Sequence, residues 1–162
     1  MRLKRTMIWL LNCGDNIMDR AVEFKLKAIK QDFSIRKITC VEDVVDIARR
    51  FYGDDIMIYE SAFIILLNPV GSAIGYAKIS QGGLQSTSVD VRIIAKYAIE
   101  SLATSVILVH NHPSSECRPT GIDIKLAAAL KKALSLLHIQ LYDSVILTEN
   151  GHFSMREEGL IG

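Results

Sequence analysis

An apolar run that ends in two histidines constrains this chain more than any other feature. Residues 105–109 read Ser-Val-Ile-Leu-Val, and the string His-Asn-His-Pro begins directly after them at His110. Successive side chains of a strand alternate faces, so His110 and His112 project to the same side where the strand ends. Asp123 follows at the head of an amphipathic stretch, and its carboxylate makes three nitrogen and oxygen ligands. Three such ligands around zinc leave a fourth position for water, so the sequence predicts a catalytic type of metal site.

Each of these residues also has an ordinary structural explanation. A histidine at a strand end is commonly exposed or hydrogen-bonded to its neighbours. Asp123 stands three residues after Thr120, which is the spacing of a helix capping box. A metal site explains the paired imidazoles and the placement of the carboxylate together, and we therefore favour it. Asn111 alternates to the opposite face, where we expect it to hold the strand end in place rather than to bind metal.

The spacing from His110 onward is His-x-His-x7-Thr-x-x-Asp. It resembles the JAMM motif of the JAB/MPN metallopeptidases, His-x-His-x7-Ser-x-x-Asp, and is more similar still to the RadC branch of that superfamily. The likeness covers most of the chain from about Val22 onward. The resemblance implies a zinc ion held by His110, His112 and Asp123, and a fold related to that of cytidine deaminases.

The same resemblance implies two catalytic residues. In the family the catalytic glutamate begins a strand that reads Glu-x-x-Phe, which the sequence from Glu60 to Phe63 matches. A carboxylate there can take a proton from water and pass it to the leaving amine. Thr120 stands where JAMM enzymes have a serine whose hydroxyl assists the substrate carbonyl oxygen. A threonine keeps that hydroxyl, but the helix cap competes for the same oxygen.

Two departures from the family pattern lie on the loop between the ligands. Ser115 replaces a glycine, and Cys117 replaces a proline. We expect the first to alter the loop rather than the ligand set. A thiol between ligands could in principle coordinate metal, but we expect Cys117 not to do so.

Length and composition favour one folded domain with a short extension. The chain has 162 residues, and we expect an N-terminal extension over residues 1–19 and a domain over residues 20–162. Its 19 basic and 18 acidic residues give no strong field for nucleic acid or an anionic membrane. The apolar run after the basic residues at the N-terminus is too short for an export signal or a membrane span. Three cysteines, an odd number, favour reduced thiols in the cytoplasm.

Predicted strands and helices alternate along the chain, which favours the α/β class. We expect a three-layer α/β/α sandwich with a mixed central sheet. In chain order the first predicted elements are a strand over residues 22–30, a helix that begins with a Thr39/Glu42 capping box and stops at Gly53, and a hairpin of strands 61–67 and 73–79. A helix from Asp90 to about residue 102 follows, and after it come the strand carrying the histidines and a helix capped by Thr120. The last predicted elements are a strand over residues 140–148 and a short partner strand, joined by a turn at Asn150-Gly151.

These observations predict a zinc-dependent hydrolase that cleaves a peptide or isopeptide amide, with a peptide or protein as substrate. Two alternatives stay open: a non-catalytic MPN scaffold that binds protein partners, and a DNA-repair-associated accessory protein of the RadC group. The last needs the basic residues Arg36, Lys37, Arg49 and Arg50 to gather on one face. We expect a cytoplasmic protein that does not enter a membrane.

Overall fold

The computed structural model describes residues 27–29, 37–82 and 88–161. Residues 27–29 belong to one compact unit, Met1–Gln31, and are exposed without regular secondary structure. The other described residues belong to a second unit, Asp32–Gly162. The predicted extension and all but three residues of the predicted first strand lie outside the described residues. The boundary between residues 19 and 20 therefore stays a prediction.

One mixed sheet forms the centre of the second unit. Its strands, within the described part of the chain, are β1 (Ser61–Leu67), β2 (Ala73–Gln81), β3 (Ser105–Asn111), β4 (Gln140–Leu147) and β5 (His152–Ser154). They lie in the order β2-β1-β3-β4-β5. β3 and β4 are parallel and the other neighbouring pairs are antiparallel. A parallel pair needs a crossover, and the helix between β3 and β4 supplies it.

Helices cover both faces of this sheet, which confirms the predicted three-layer sandwich. They are α1 (Val41–Ala48), α2 (Val91–Glu100) and α3 (Gly121–Ser135). Alternate residues of the strands pack in two separate cores: one with α1, and the other with α2 and α3. β3 is buried on both faces because it lies in the middle of the sheet, and this explains its unbroken apolar sequence.

Local signals placed most boundaries correctly. Gly71 has φ of +78° in the turn between β1 and β2, a conformation that favours glycine. Asp90 caps α2 by accepting a hydrogen bond from the Arg92 backbone N–H at 2.9 Å. The capping box of α1 was predicted one residue too early. The helix begins after Cys40 and its third residue, Asp43, accepts the capping hydrogen bonds.

This error has a physical cause. Thr39 and Glu42 have the residue types and spacing of a capping box, whereas cysteine is not among the preferred capping residues. The Thr39 hydroxyl still takes part, since it donates to Asp43 at 2.7 Å. α1 also ends at Ala48, before the predicted stop near Gly53. Among the residues described, no helix is long and apolar enough to cross a membrane.

Candidate metal centre

The end of β3 places two imidazoles on the same face of the sheet, as predicted. His110 lies in the strand, and His112 follows it while its backbone N–H still donates to the Leu147 carbonyl at 2.8 Å. Both rings are largely buried, at 4% and 8% exposed. Their Nε2 atoms lie 3.2 Å apart.

Asp123 meets these rings from the first turn of α3, which packs over the same face. Its Oδ1 lies 3.2 Å from Nε2 of His110, and its Oδ2 lies 3.5 Å from Nε2 of His112. Oδ2 also accepts hydrogen bonds from the backbone N–H and the hydroxyl of Thr120, each at 2.7 Å. The two explanations of Asp123 are therefore compatible, because one carboxylate completes the capping box and faces both imidazoles.

The ligand atoms of this cluster lie close enough together to surround a small cation. Zinc bonds of about 2.0–2.1 Å at tetrahedral angles put neighbouring ligand atoms roughly 3.3–3.4 Å apart. The two Nε2 atoms, at 3.2 Å, are close to that separation, and the two oxygens of Asp123 each approach one imidazole, Oδ1 at 3.2 Å and Oδ2 at 3.5 Å. All three ligand atoms lie within 4.8 Å of one another. The structure therefore brings together the three side chains that the sequence predicted as ligands.

A backbone carbonyl orients the ring of His112. Its Nδ1 lies 3.0 Å from the carbonyl oxygen of Glu116. A carbonyl only accepts, so Nδ1 carries the proton and donates it, which leaves Nε2 unprotonated in a neutral ring. That tautomer is the one that binds a metal through Nε2.

The carboxylate of Asp123 is ionised despite its burial. Burial raises the pKa of the carboxyl, but hydrogen bonds with His110, His112 and Thr120 outweigh it and hold the pKa well below its usual range. The hydrogen bond with Asp123 in turn raises the pKa of His112, against an opposing effect of burial. The ionised carboxylate thus lies beside both imidazoles and favours a proton on His112, and a metal ion that binds there must displace that proton.

Asn111 points to the other face and holds the segment before β1, as expected. Its Nδ2 donates to the carbonyl oxygens of Ile56 and Tyr59, both at 2.7 Å. Its Oδ1 accepts from the backbone N–H of Ser61 at 2.8 Å. These bonds fix the chain on either side of Glu60 against the end of β3.

Glu60 directly precedes β1, next to the end of β3 that carries the histidines. The antiparallel ladder of β1 and β3 ends at the pair Ala62 and His110, and the same alternation continued by two residues would set Glu60 opposite His112. Directly opposed residues of an antiparallel pair share one face. Glu60 is half-buried, and its charge contributes to the raised pKa of His112. Its backbone carbonyl accepts from Gly82 at 2.8 Å.

Two residues of the loop between the ligands, Glu116 and Cys117, add no ligand side chain to the cluster. Cys117 lies outside the ligand cluster, and its Sγ is 4.0 Å from the carbonyl oxygen of Ile146. Burial raises the pKa of its thiol, which favours the unreactive form. The side chain of Glu116 is exposed, and the residue acts through its carbonyl. Sequence reasoning missed this role, because a backbone oxygen leaves no signature in residue type.

The basic residues proposed for nucleic acid are only partly described. Arg36 lies outside the described residues. The guanidinium of Arg49 donates to the carbonyl oxygens of Glu149, Thr148 and Gly151 at 3.0–3.5 Å, so it holds the turn between β4 and β5. A gathered basic face stays a prediction.

Comparison with known proteins gives one consistent family. The sequence model of the RadC-like JAB domain matches residues 38–160. A UPF0758 protein of Flavobacterium johnsoniae is 34% identical over 126 residues, which is 78% of this chain and 54% of that protein. A UPF0758 protein of Porphyromonas gingivalis is 42% identical over 103 residues, 63% of this chain and 45% of that protein. The chain thus spans about half the length of the curated relatives it matches.

Proposed function

The chain belongs to the RadC-like JAB domain family, and from that premise we propose that it is a zinc-dependent hydrolase that cleaves a peptide or isopeptide amide. The observation that carries the proposal is the buried cluster of His110, His112 and Asp123, in which one ligand atom from each residue lies within 4.8 Å of the others. Two imidazoles and one carboxylate are a ligand set found in catalytic zinc sites, because three protein ligands leave one position open.

The three ligands would hold the ion between the end of β3 and the start of α3. When bound there, zinc supplies Lewis acidity and lowers the pKa of a coordinated water to about 7. His112 is held in the ligating tautomer by Glu116, and Asp123 is held by Thr120. The chain therefore orients at least two of its three ligands before any ion arrives, which reduces the entropic cost of binding.

Glu60 is the general base in this proposal. Two observations support this role: the charge of Glu60 contributes to the raised pKa of His112, and the hydrogen bonds of Asn111 and Gly82 fix the backbone around Glu60. A carboxylate held there accepts a proton from the attacking water and donates it to the leaving amine. One carboxylate can therefore serve both proton transfers that amide hydrolysis needs.

Thr120 is the second catalytic residue in this proposal, and its hydroxyl already has two partners. It donates to Oδ2 of Asp123 at 2.7 Å and accepts from the Asp123 backbone N–H at 3.3 Å. To assist a substrate carbonyl oxygen, the hydroxyl must turn its proton away from Asp123. Thr120 is exposed, so a substrate can reach it. With zinc saturating, Thr120→Val should lower kcat about 10²-fold or more if it stabilises the oxyanion.

We take the substrate to be a peptide or protein in the cytoplasm. The alternative of a scaffold without catalysis draws on one observation, namely that the Thr120 hydroxyl is committed to the helix cap. A scaffold would keep the ligand cluster and lack turnover. Measurement of turnover therefore separates the two.

The test pairs metal analysis with a cleavage screen of a peptide library by mass spectrometry. We expect one zinc per wild-type chain, loss of zinc in His112→Ala, and full zinc in Glu60→Gln. Cleavage should fall by about 10²–10⁴-fold in Glu60→Gln, as for loss of a general base. Glu116→Gln is the matched control, because it changes an exposed carboxylate and keeps the carbonyl that His112 uses. Zinc without cleavage in wild type and in Thr120→Ser contradicts the hydrolase proposal and supports the scaffold.

A further inference from the structure

Two buried polar atoms behind the metal centre have no hydrogen-bond partner in the part of the chain that is described. They are Nδ1 of His110 and Oγ of Ser144. Both residues are largely buried, at 4% and 1% exposed. Leaving one buried donor or acceptor unpaired costs about 1–3 kcal/mol, so each of these atoms calls for an explanation.

The register of the sheet makes these two residues neighbours. In the parallel pair of β3 and β4, Leu108 lies beside Ser144 and His110 lies beside Ile146. Leu108 and Ile146 both belong to the core under α2 and α3. His110 and Ser144 therefore point into the same layer, one pleat apart on adjacent strands.

The position of the proton on the His110 ring determines whether Nδ1 donates or accepts a hydrogen bond. Its Nε2 faces Asp123 Oδ1 at 3.2 Å and Nε2 of His112 at 3.2 Å. An Nε2 that binds a cation is unprotonated, so the neutral ring carries its proton on Nδ1. That N–H requires an acceptor. The Ser144 hydroxyl can accept, but it makes no direct hydrogen bond with the ring.

Short side chains belong to the same core layer as His110 and Ser144. Ala62 pairs with His110 from β1, and Ala127 follows Asp123 by one helical turn on α3. Both alanines are buried in the same core. A small molecule that donates and accepts can lie between an imidazole N–H and a hydroxyl, and buried waters of this kind typically make about three hydrogen bonds.

We propose that a buried water molecule accepts a hydrogen bond from Nδ1–H of His110 and donates one to Oγ of Ser144. Ser144 is then a positioning residue: through the water it fixes the tautomer of His110 and the direction of Nε2. The carbonyl of Glu116 does the same for His112 without a water. The inference rests on the metal-binding part of the proposed function and is independent of any substrate.

Zinc affinity, measured by competition with a chelator, tests the role of Ser144. Ser144→Ala should bind zinc about tenfold more weakly, as when an orienting partner of a ligand is lost. Ser144→Thr keeps a hydroxyl and should bind close to wild type. Val145→Ala is the control, because this neighbouring residue is buried on the other face and its truncation destabilises the fold without touching His110.

High-resolution crystal structures, with and without zinc, test the water itself. We expect a solvent peak within hydrogen-bonding distance of Nδ1 and Oγ in wild type, and its loss in Ser144→Val, whose methyl groups occupy the same volume. Wild-type zinc affinity in Ser144→Ala, or a map without that peak, overturns the proposal. If the protein binds zinc and cleaves no amide, the hydrolase proposal fails and this one stands. If no zinc binds, the electron-density map of the metal-free crystal tests the proposal: a solvent peak between Nδ1 and Oγ supports it, and a map without that peak overturns it.

Discussion

Helices α1 and α3 begin with the same hydrogen-bonded carboxylate in two different surroundings. At α1, Oδ2 of Asp43 accepts from the backbone N–H and the hydroxyl of Thr39, each at 2.7 Å. At α3, Oδ2 of Asp123 accepts from the same two groups of Thr120, each at 2.7 Å. The threonine stands four residues before Asp43 and three before Asp123, but the carboxylate accepts from the same two groups, so this bonding does not by itself make a functional site.

The surroundings of the carboxylate make the difference. Hydrogen bonds from Thr39 lower the pKa of Asp43, which lies at the surface. Asp123 is buried, and its low pKa depends on the two histidines as well as on Thr120. A helix cap requires one carboxylate oxygen, so the other remains available for a second role. α3 uses that oxygen because its first turn lies over the end of β3.

Removing the charge of each carboxylate should produce the largest contrast. We expect Asp123→Asn to weaken zinc binding by more than about 100-fold, the upper end of the loss caused by partners that only orient a ligand. Asp43→Asn should leave zinc affinity unchanged, because Asp43 faces no imidazole. Isothermal titration of both variants measures this. Equal affinities for the two variants would mean that Asp123 serves the helix alone, and the contrast between the caps would disappear.

Removing each hydroxyl should produce a smaller contrast. Thr120→Val deprives Asp123 of one donor and its backbone N–H of an acceptor, so we expect a stability loss of about 1 kcal/mol and zinc binding about tenfold weaker. Thr39→Val removes one exposed hydrogen bond, with a loss of about 0.5 kcal/mol. Its zinc affinity should not change. Urea denaturation measures the loss of stability, and chelator competition measures the zinc affinity. An equal loss of zinc affinity in both variants would contradict a role of the Thr120 hydroxyl at the metal centre.

The two caps also show what the sequence can predict. The Thr-x-x-Asp spacing at Thr120 predicted both the start of α3 and the ligand, since the histidines before it supplied a second, independent constraint. At α1 the residue types favoured Thr39 and Glu42 as the capping box. The sequence showed no long-range contact that would have moved the predicted start of the helix by one residue. Short-range patterns therefore locate an element, and its exact boundary depends on packing.

The parts of the site that sequence reasoning missed are long-range or belong to the backbone. Asn111 was expected to hold the strand end, but its partners at Ile56 and Tyr59 lie more than 50 residues away in sequence. The carbonyl of Glu116 has no residue signature. Glu60 itself was predicted, but its place near the end of β3 depends on the pairing of β1 with β3, which alternation predicts only up to a shift of two residues.

The segments that lead into α1 and α3 also differ in backbone conformation, and this difference has the smallest expected effect on stability. The cap of α1 is relaxed, since Cys40 has an extended conformation with φ of −145°. The loop that leads to α3 holds Ser115 at φ of +61°, in the left-handed region that favours glycine, and the related family has glycine there. We expect Ser115→Gly to raise stability by about 0.5–1 kcal/mol, because relief of that strain exceeds the added freedom of the unfolded chain.

Thermal unfolding measures this as a Tm increase of about 2 °C. Ser114→Gly is the matched control, since Ser114 is not among the residues with positive φ and should lose stability on the same change. Zinc affinity should stay near wild type in both, because neither side chain contacts a ligand. A loss of stability in Ser115→Gly would show that the hydroxyl, which lies 3.9 Å from the Met57 sulfur, matters more than the backbone strain. The ligand loop would then be held by side-chain contacts, as the cap of α1 is.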